Sequence, residues 1–290
     1  MRVTDSMLKE QIISFLSANQ ERLANVQRQL STNKEVALSS DDPVRFDRAG
    51  RFKSLLTKNE QYLNNIEDGI AWIKVGTESL DVMYEALQQA RELGLQARSD
   101  ADPATRTQVV GYVEALIEEM VLMGNTRFMG KYIFGGTITK DTEPFAFDGI
   151  TVTYSGNDGI LSRKVGEDTY LQINTTGSEF ENVFSAAIAL RDALVANDGD
   201  AIEAALVQIE IVEPQLLNTV ARAGSLQRKL ELTRGNLEMA NVNLQSYISQ
   251  AEDVDLAEAI LQYNAQELGY RAALESSSRI MNISILNHLR

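Results

Sequence analysis

The sequence predicts a mainly α-helical fold with a small β insert. Hydrophobic residues recur at alternating three- and four-residue steps over long stretches, which is typical of helices that pack as coiled coils. Two Asp-Pro pairs stand where such stretches begin, in the positions that cap and start a helix. Between residues 131 and 176 the pattern changes to short apolar runs, one of them strictly alternating, separated by glycine-containing turns.

The two ends of the chain carry helical seams that suit each other. The N-terminal seam consists of Leu8, Ile12, Phe15, Asn19, Leu23, Val26 and Leu30. The C-terminal stretch has two stripes, one of Leu256, Ile260, Tyr263, Tyr270, Leu274 and Met281, the other of Ala257, Leu261, Ala265, Leu268, Ala272, Ile283 and Leu286. We expect these terminal helices to pair as an antiparallel coiled coil. They either close a bundle core within one subunit or leave a stripe that favours polymerisation.

The first long helix is predicted to start at Asp42 and Pro43. Asp42 stands in the cap position and Pro43 at the first helical position, after a polar run that we interpret as a hinge between two helices. The seam from Leu63 to Leu87 follows without a slip. Asp102 and Pro103 repeat the same start signal for the next helix.

A second long helix is predicted from the seam that runs from Leu216 to Ala251. This seam is about as long as that of the first long helix, so we expect the two helices to face each other as antiparallel neighbours. Pro214, just before it, either kinks or interrupts the helix.

The pattern divides the chain into three parts. Residues 1–40 with 253–290 form a terminal-helix domain, and residues 41–130 with 180–252 form a bundle of long helices. Residues 131–179 form a small β-rich insert, which is too short to fold alone and is expected to pack against the helices.

Composition limits the possible functions. The chain has 41 acidic and 27 basic residues, and a net charge of −14 argues against nucleic acid and anionic membranes as partners. It has no Cys, which excludes disulfides and thiol chemistry. The N-terminal residues lack the apolar core and the cleavage signal of a secretory peptide, and no stretch is apolar enough to span a membrane. The sequence is compatible with export by a machinery that reads an uncleaved N-terminus.

Few residues could support catalysis. His288 is the only His, so the sequence lacks the residues for a His-rich metal site and argues against a His-based triad. Gly135-Gly136-Thr137 lacks the spacing of a phosphate-binding loop and is interpreted as a tight turn. The acidic groups at residues 198–203 and 252–258 do not match a calcium loop, and acids before helices are expected from capping. We therefore predict neither an enzyme nor a bound metal or cofactor.

Several segments together resemble the flagellin superfamily. They are SSDDPVRFDRA at residues 39–49, NEQYLNNIEDGIAWIKVG at 59–76, GKYIFGGT at 130–137, YSGNDG at 154–159 and RAGSLQRKLE at 222–231, followed by the terminal helix. The FGGT and SDDP elements are similar to the hook-associated protein 3 branch, whose members link the flagellar hook and its first junction ring to the filament. Asn33 stands where a glycine is common in the superfamily, and Asn enters the left-handed conformation more readily than most residues.

The resemblance implies a structural subunit of the flagellum at the hook–filament junction, with terminal helices innermost and the β insert outermost. It implies extracellular assembly after type III export without a cleaved signal peptide. The implied partners are copies of the chain in a ring, the first hook-associated junction protein, flagellin and a cytoplasmic export chaperone on the C-terminal helix. A filament subunit and a soluble coiled-coil adaptor are the alternatives. The implied axial contacts are Leu8, Ile12, Phe15, Leu23, Leu256, Ile260, Leu268, Leu274 and Met281.

Overall fold

The mainly α-helical prediction is confirmed. The computed structural model describes the backbone of residues 5–98 and 103–288, and the side chains of residues 7, 10–98, 104 and 106–279. Within these residues the α-helices are α1 Asp5–Thr32, α2 Pro43–Arg98, α3 Pro103–Gly124, α4 Glu181–Ala196, α5 Gly199–Glu252 and α6 Leu256–His288. A short 3-10 helix, Gly177–Glu179, precedes α4. Asp102 lies outside the described residues.

The β insert consists of three antiparallel strand pairs. They are β1 Arg127–Phe128 with β2 Lys131–Tyr132, β3 Phe145–Phe147 with β4 Val152–Tyr154, and β5 Ser162–Lys164 with β6 Tyr170–Gln172. The strands are shorter than the alternating pattern predicts, and β1 was not predicted at all. Ile133 and Phe134 continue past β2 outside any strand, and both side chains belong to the buried core. The N–H of Ile133 donates to the carbonyl oxygen of Thr126 at 3.1 Å.

The structure divides into two compact units, Met1–Lys58 with Ala240–Arg290, which we call the terminal unit, and Asn59–Met239, which we call the central unit. Both boundaries fall inside long helices. The division into three layers from the sequence stays a prediction.

The central unit has a large core that includes the β insert. Phe145 of β3 lies with its ring 4.8 Å from Phe184 and 5.5 Å from Phe180, and Phe134 lies 5.0 Å from Phe180. Arg191 of α4 donates hydrogen bonds to the carbonyl oxygens of Gly149 (2.8 Å) and Ile150 (3.0 Å) at the tip of the β3–β4 hairpin. The insert therefore shares its core with α4.

The long helices α2 and α5 run antiparallel within the central unit. Arg91 pairs with Glu210 at 2.7 Å and Arg98 with Glu203 at 3.1 Å, so later residues of one helix meet earlier residues of the other. Helix α5 continues through Pro214 without interruption.

The loop with two glycines is a tight turn, as its sequence indicates. Gly136 has a φ of +67°, and a Cβ on it would lie 1.9 Å from the carbonyl oxygen of Asn157. The side-chain oxygen of Asn157 accepts a hydrogen bond from the backbone N–H of Thr137 at 2.8 Å. Any side chain at position 136 would push these two loops apart.

Candidate assembly interface

The terminal helices α1 and α6 pack along each other in the terminal unit. The N–H of Val254, before α6, donates to the carbonyl oxygen of Asn33, just after α1, at 3.3 Å, and Lys34 forms an antiparallel bridge with Asp253. Since the end of α1 meets the start of α6, the two helices are antiparallel. Asn33 has a φ of 55°, the left-handed conformation expected at this position.

One face of α1 lies against α6. Its described members are buried or half-buried and recur at steps of four and three: Ile12, Leu16, Asn19, Leu23, Val26 and Leu30. The sequence seam placed Phe15 on this face, but Phe15 is 60% exposed and Leu16 is half-buried. The polar Asn19 occupies one step of the seam, where an amide can fix the register of a helix pair.

The two stripes of α6 have different surroundings. Tyr263 and Tyr270 of the first stripe are half-buried, and Ala259 beside them is buried. The described members of the second stripe are all exposed: Ala257, Leu261, Ala265, Leu268 and Ala272. Leu268 is 71% exposed. Leu256, Ile260 and Leu274 of the first stripe are exposed as well. The helix therefore packs against α1 through Ala259, Tyr263 and Tyr270, and presents the second stripe and the rest of the first to solvent.

Five of the predicted contact residues are exposed, namely Phe15, Leu256, Ile260, Leu268 and Leu274. Ile12 and Leu23 are half-buried in the helix pair. The side chains of Leu8 and Met281 lie outside the described residues, although both positions belong to α1 and α6.

The described core of the terminal unit is small. Its buried apolar side chains are Val26, Val36, Ala49, Ala251 and Ala259, all of them Val or Ala. The larger side chains of this unit, such as Leu268 and Phe15, stay in water. This is the reverse of the central unit, where Phe, Leu, Ile and Met fill the interior.

The side chain of Glu252 joins three segments of the terminal unit. Its carboxylate, 4% exposed, accepts a hydrogen bond from Lys34 Nζ at 2.7 Å and another from Lys53 Nζ. Its carbonyl oxygen accepts from the backbone N–H groups of Glu35 (2.7 Å) and Val36 (3.2 Å). The end of α5, the segment between α1 and α2, and the first part of α2 thus meet at one residue.

The Glu252 carboxyl is held in its charged form. Burial raises its pKa, but the hydrogen bonds from Lys34 and Lys53 more than offset this, so the pKa lies below its ordinary value. The hydrogen bond to Glu252 raises the pKa of Lys34. Nothing in the sequence pointed to this junction, because Glu252 lies 218 residues from Lys34 and 199 from Lys53.

Helix α2 begins at Pro43, and Asp42 caps it. Asp42 Oδ1 accepts hydrogen bonds from the N–H groups of Val44 (2.9 Å) and Arg45 (3.0 Å). The neighbouring Asp41 accepts from the N–H groups of Leu38 and Ala37 and pairs with Arg28. The backbone hydrogen bond from Leu38, followed by that from Arg28, lowers the pKa of Asp41. A hinge role for Asp42 and Pro43 stays a prediction.

Each of the two acidic groups singled out in the sequence contains one residue that caps a helix. Asp198 accepts from the N–H groups of Asp200 and Ala201 at the start of α5, and Asp255 accepts from Ala257 and Glu258 at the start of α6. Among the described residues, no three His, Cys, Asp or Glu side chains are grouped to hold a metal ion. Within the same ranges, no helix combines the length and apolar character needed to cross a membrane.

Comparison with known proteins shows similarity to proteins of the bacterial flagellum. Residues 3–139 match the family model of the bacterial flagellin N-terminal helical region. The chain is 24% identical to the flagellin of Bacillus subtilis, with 92% of each chain covered. It is 30% identical to flagellar hook-associated protein 3 of Salmonella typhimurium, over 65% of this chain and 59% of that protein.

A solved structure has the same fold. The crystal structure of Bacillus cereus FlgL superposes with a TM-score of 0.62 at 21% identity, covering 68% of this chain and 98% of FlgL. These matches confirm the resemblance that the sequence motifs indicate.

Proposed function

We propose that this chain, which is homologous to the flagellins and to flagellar hook-associated protein 3, is a structural subunit that joins the flagellar hook to the filament. The observation that carries this proposal is the composition of the terminal unit. Among the described apolar side chains of its helix pair, Val26 and Ala259 are buried and Ile12, Leu16, Leu23 and Leu30 are half-buried, whereas Phe15, Leu256, Ile260, Leu268 and Leu274 are exposed. A helix pair of this kind is complete only when further helices cover it.

Assembly supplies the free energy that the isolated pair lacks. Burying a Leu, Ile or Phe side chain is worth about 1.5–3 kcal/mol relative to leaving it exposed. The exposed residues Phe15, Leu256, Ile260, Leu268 and Leu274 offer several such gains per subunit. With Leu8 and Met281, they form the axial contact surface between subunits in this proposal, and the half-buried Ile12 and Leu23 support that surface by holding the helix pair together.

In this proposal the same surface also binds the other proteins of the assembly and the export chaperone. A ring of copies would cover the second stripe of α6, and the first hook-associated junction protein and flagellin would cover the two rims of the ring. Before export, a cytoplasmic chaperone on α6 would keep its exposed Leu residues from aggregating. The subunit would reach the outside of the cell by the flagellar export route and act there without catalysis or a cofactor.

A filament subunit is the second candidate, because the match to Bacillus subtilis flagellin covers 92% of both chains. Immunogold electron microscopy of flagella with an epitope inserted at exposed Asp148 separates the two. A junction subunit gives label only between hook and filament, and its deletion releases filaments from intact hooks. Label along the whole filament would favour the flagellin role, and absence of label from flagella would favour a soluble adaptor.

A further inference from the structure

A groove in the terminal unit is lined by two arginines and two aromatic rings. The start of α2 contributes Arg45, Arg48 and Phe52, and the end of α5 contributes Tyr247, with Gln250 and Ala251, around a volume of about 260 Å³. The rings of Phe52 and Tyr247 lie 5.5 Å apart. We call this site the arginine groove.

The two arginines differ in how they are used. Arg45 pairs with Glu35 at 2.8 Å and donates from Nε to the carbonyl oxygen of Ala251 at 3.0 Å. Arg48 is exposed and has no hydrogen bond or ion pair with any residue that the structure describes. A guanidinium presents five donors in a planar fork that suits a carboxylate. The groove therefore has one arginine that shapes it and one that is available.

Two exposed apolar side chains share a face of α2 with Arg48. Val44 is 67% exposed and Leu55 is 45% exposed, and with Arg48 and Arg51 they recur at steps of four, three and four along one face of α2. This spacing is that of a helix seam that packs against another helix. This face of α2 thus combines apolar side chains that can pack against another helix with the charged side chain of Arg48.

Charge is divided unevenly between the two units. The central unit, residues 59–239, has 28 acidic and 14 basic residues and so carries the whole net charge of −14, while the terminal unit has 13 of each. Residues 43–58, which include the arginine groove, hold five basic residues and one acidic residue. In an assembly of identical chains the acidic central units of different copies repel one another. A basic surface such as residues 43–58 can attract them.

An acidic row on α2 in the central unit fits this surface. Glu78, Asp81 and Glu85 are exposed and lie on one helix face at positions i, i+3 and i+7. Neither Asp81 nor Glu85 forms an ion pair within the described part of the chain. Partial desolvation of its carboxyl, followed by the charges of Glu85 and Glu78, raises the pKa of Asp81. A cation from another molecule would relieve this repulsion.

We propose that the arginine groove of one subunit binds this acidic row in a second copy of the chain, with Arg48 paired to Asp81. This inference rests on the proposed function, since it describes a contact between subunits of the assembly. It adds a polar, register-setting contact to the apolar contacts of α1 and α6. A charged contact of this kind fixes which copies meet and in which orientation.

Charge reversal tests the pairing. Arg48→Glu and Asp81→Arg are each expected to weaken assembly about tenfold, because they place like charges in contact. The double variant R48E/D81R restores opposite charges and is expected to recover assembly. The measurement is the number of cells with attached filaments when each variant replaces the native chain. Arg228→Glu, a reversal of an exposed arginine of α5, is the control and should assemble normally.

Cross-linking tests the geometry independently. Because the chain has no Cys, two single variants can be produced together in one strain, Gln250→Cys in the groove and Gln89→Cys on the acidic face of α2. Isolated flagella should then give a disulfide-linked dimer on mild oxidation. A cysteine at exposed Gln208 in place of Gln89 should give none.

The outcomes separate this inference from the proposed function. Restoration by the double variant, together with the dimer, supports the pairing. Loss of filaments in R48E without restoration in the double variant would overturn it and assign the groove to another flagellar protein, leaving the junction role intact. Normal filaments in R48E, with a melting curve equal to the parent's, would overturn it outright. If immunogold label is absent from flagella, the proposed function itself fails.

Discussion

Lys34 Nζ lies 2.7 Å from Oε2 of Glu252, although 218 residues separate them in the chain. The contact ties the segment between α1 and α2 to the break between α5 and α6. Because Glu252 is buried and both cationic partners are partly exposed, the carboxylate is the member whose removal matters most. Among its described residues the terminal unit has few buried apolar side chains, so this polar junction carries an unusual share of its stability.

Replacing Glu252 by Gln is expected to lower the stability of the terminal unit by about 1–3 kcal/mol. The amide keeps an acceptor but removes the charge that holds two lysines. Urea unfolding followed by circular dichroism measures the change. Glu35→Gln, which breaks a more exposed pair with Arg45, should cost at most about 1 kcal/mol. Equal losses in the two variants would contradict the importance of the buried carboxylate.

The ion pairs of Glu252 should also make the stability of the terminal unit depend on pH. The pKa of Glu252 is lower in the folded chain than in the unfolded one, so its contribution is fully present above the unfolded pKa of about 4.3. That contribution is lost as the pH falls through the lowered folded pKa. Melting curves across this range should show the parent and E252Q converging at low pH. A constant difference at every pH would argue against the charged junction.

Asp42→Ala is expected to lower stability by roughly 1 kcal/mol, because the N–H groups of Val44 and Arg45 lose their acceptor. Thermal melting measures the effect. Asp42→Ser, which keeps a capping oxygen, should retain most of the parent's stability. If Asp42→Ala melts at or above the parent's temperature, the cap contributes nothing to the start of α2.

Leu268→Asp and Leu274→Asp are expected to leave the isolated fold nearly intact but to abolish assembly. The two side chains are 71% and 43% exposed, so a carboxylate there stays in water until another subunit covers it. In the assembly it would be buried without a partner, at several kcal/mol per subunit. Circular dichroism of the isolated variants and electron microscopy of flagella provide the two readouts.

Three controls complete this test. Leu232→Asp changes a residue of the central unit whose exposure, 57%, lies between those of Leu268 and Leu274, and it should assemble normally. Leu23→Asp changes a half-buried residue of the helix pair and should lower stability even in the monomer. Secretion must be measured as well, because a lost chaperone contact would also remove filaments. Normal filaments in Leu268→Asp would exclude this stripe from the contact surface.

Limited proteolysis of the isolated chain should cut the terminal unit before the central one. Few of the described side chains of α1 and α6 are buried, so we expect local opening to cost less free energy there than in the core around Phe145 and Phe184. Mass spectrometry of a time course identifies the fragments. We expect a resistant fragment close to residues 59–239. Early cuts inside that range, with intact termini, would show that the terminal helices belong to a stable core.

The sequence by itself determined the features that depend on local spacing. Seams at three- and four-residue steps predicted the helices, and Asp42 with Pro43 marked a start that the structure confirms. These signals are local, because helix periodicity and capping involve residues only a few positions apart. The motifs likewise sufficed for the resemblance to flagellar proteins.

Only the tertiary structure decided the features that depend on contacts between residues far apart in the sequence. Pro214 was undecided in the sequence, and α5 continues through it because buried Ile209, Val212 and Leu216 on either side hold the helix despite the lost hydrogen bond. The two stripes of α6 were equivalent as patterns, and only packing against α1 showed that the one with Leu268 remains uncovered. The partners of Glu252 were invisible for the same reason. A periodic pattern tells which residues share a face, but the free energy of burial depends on what the rest of the chain places against that face.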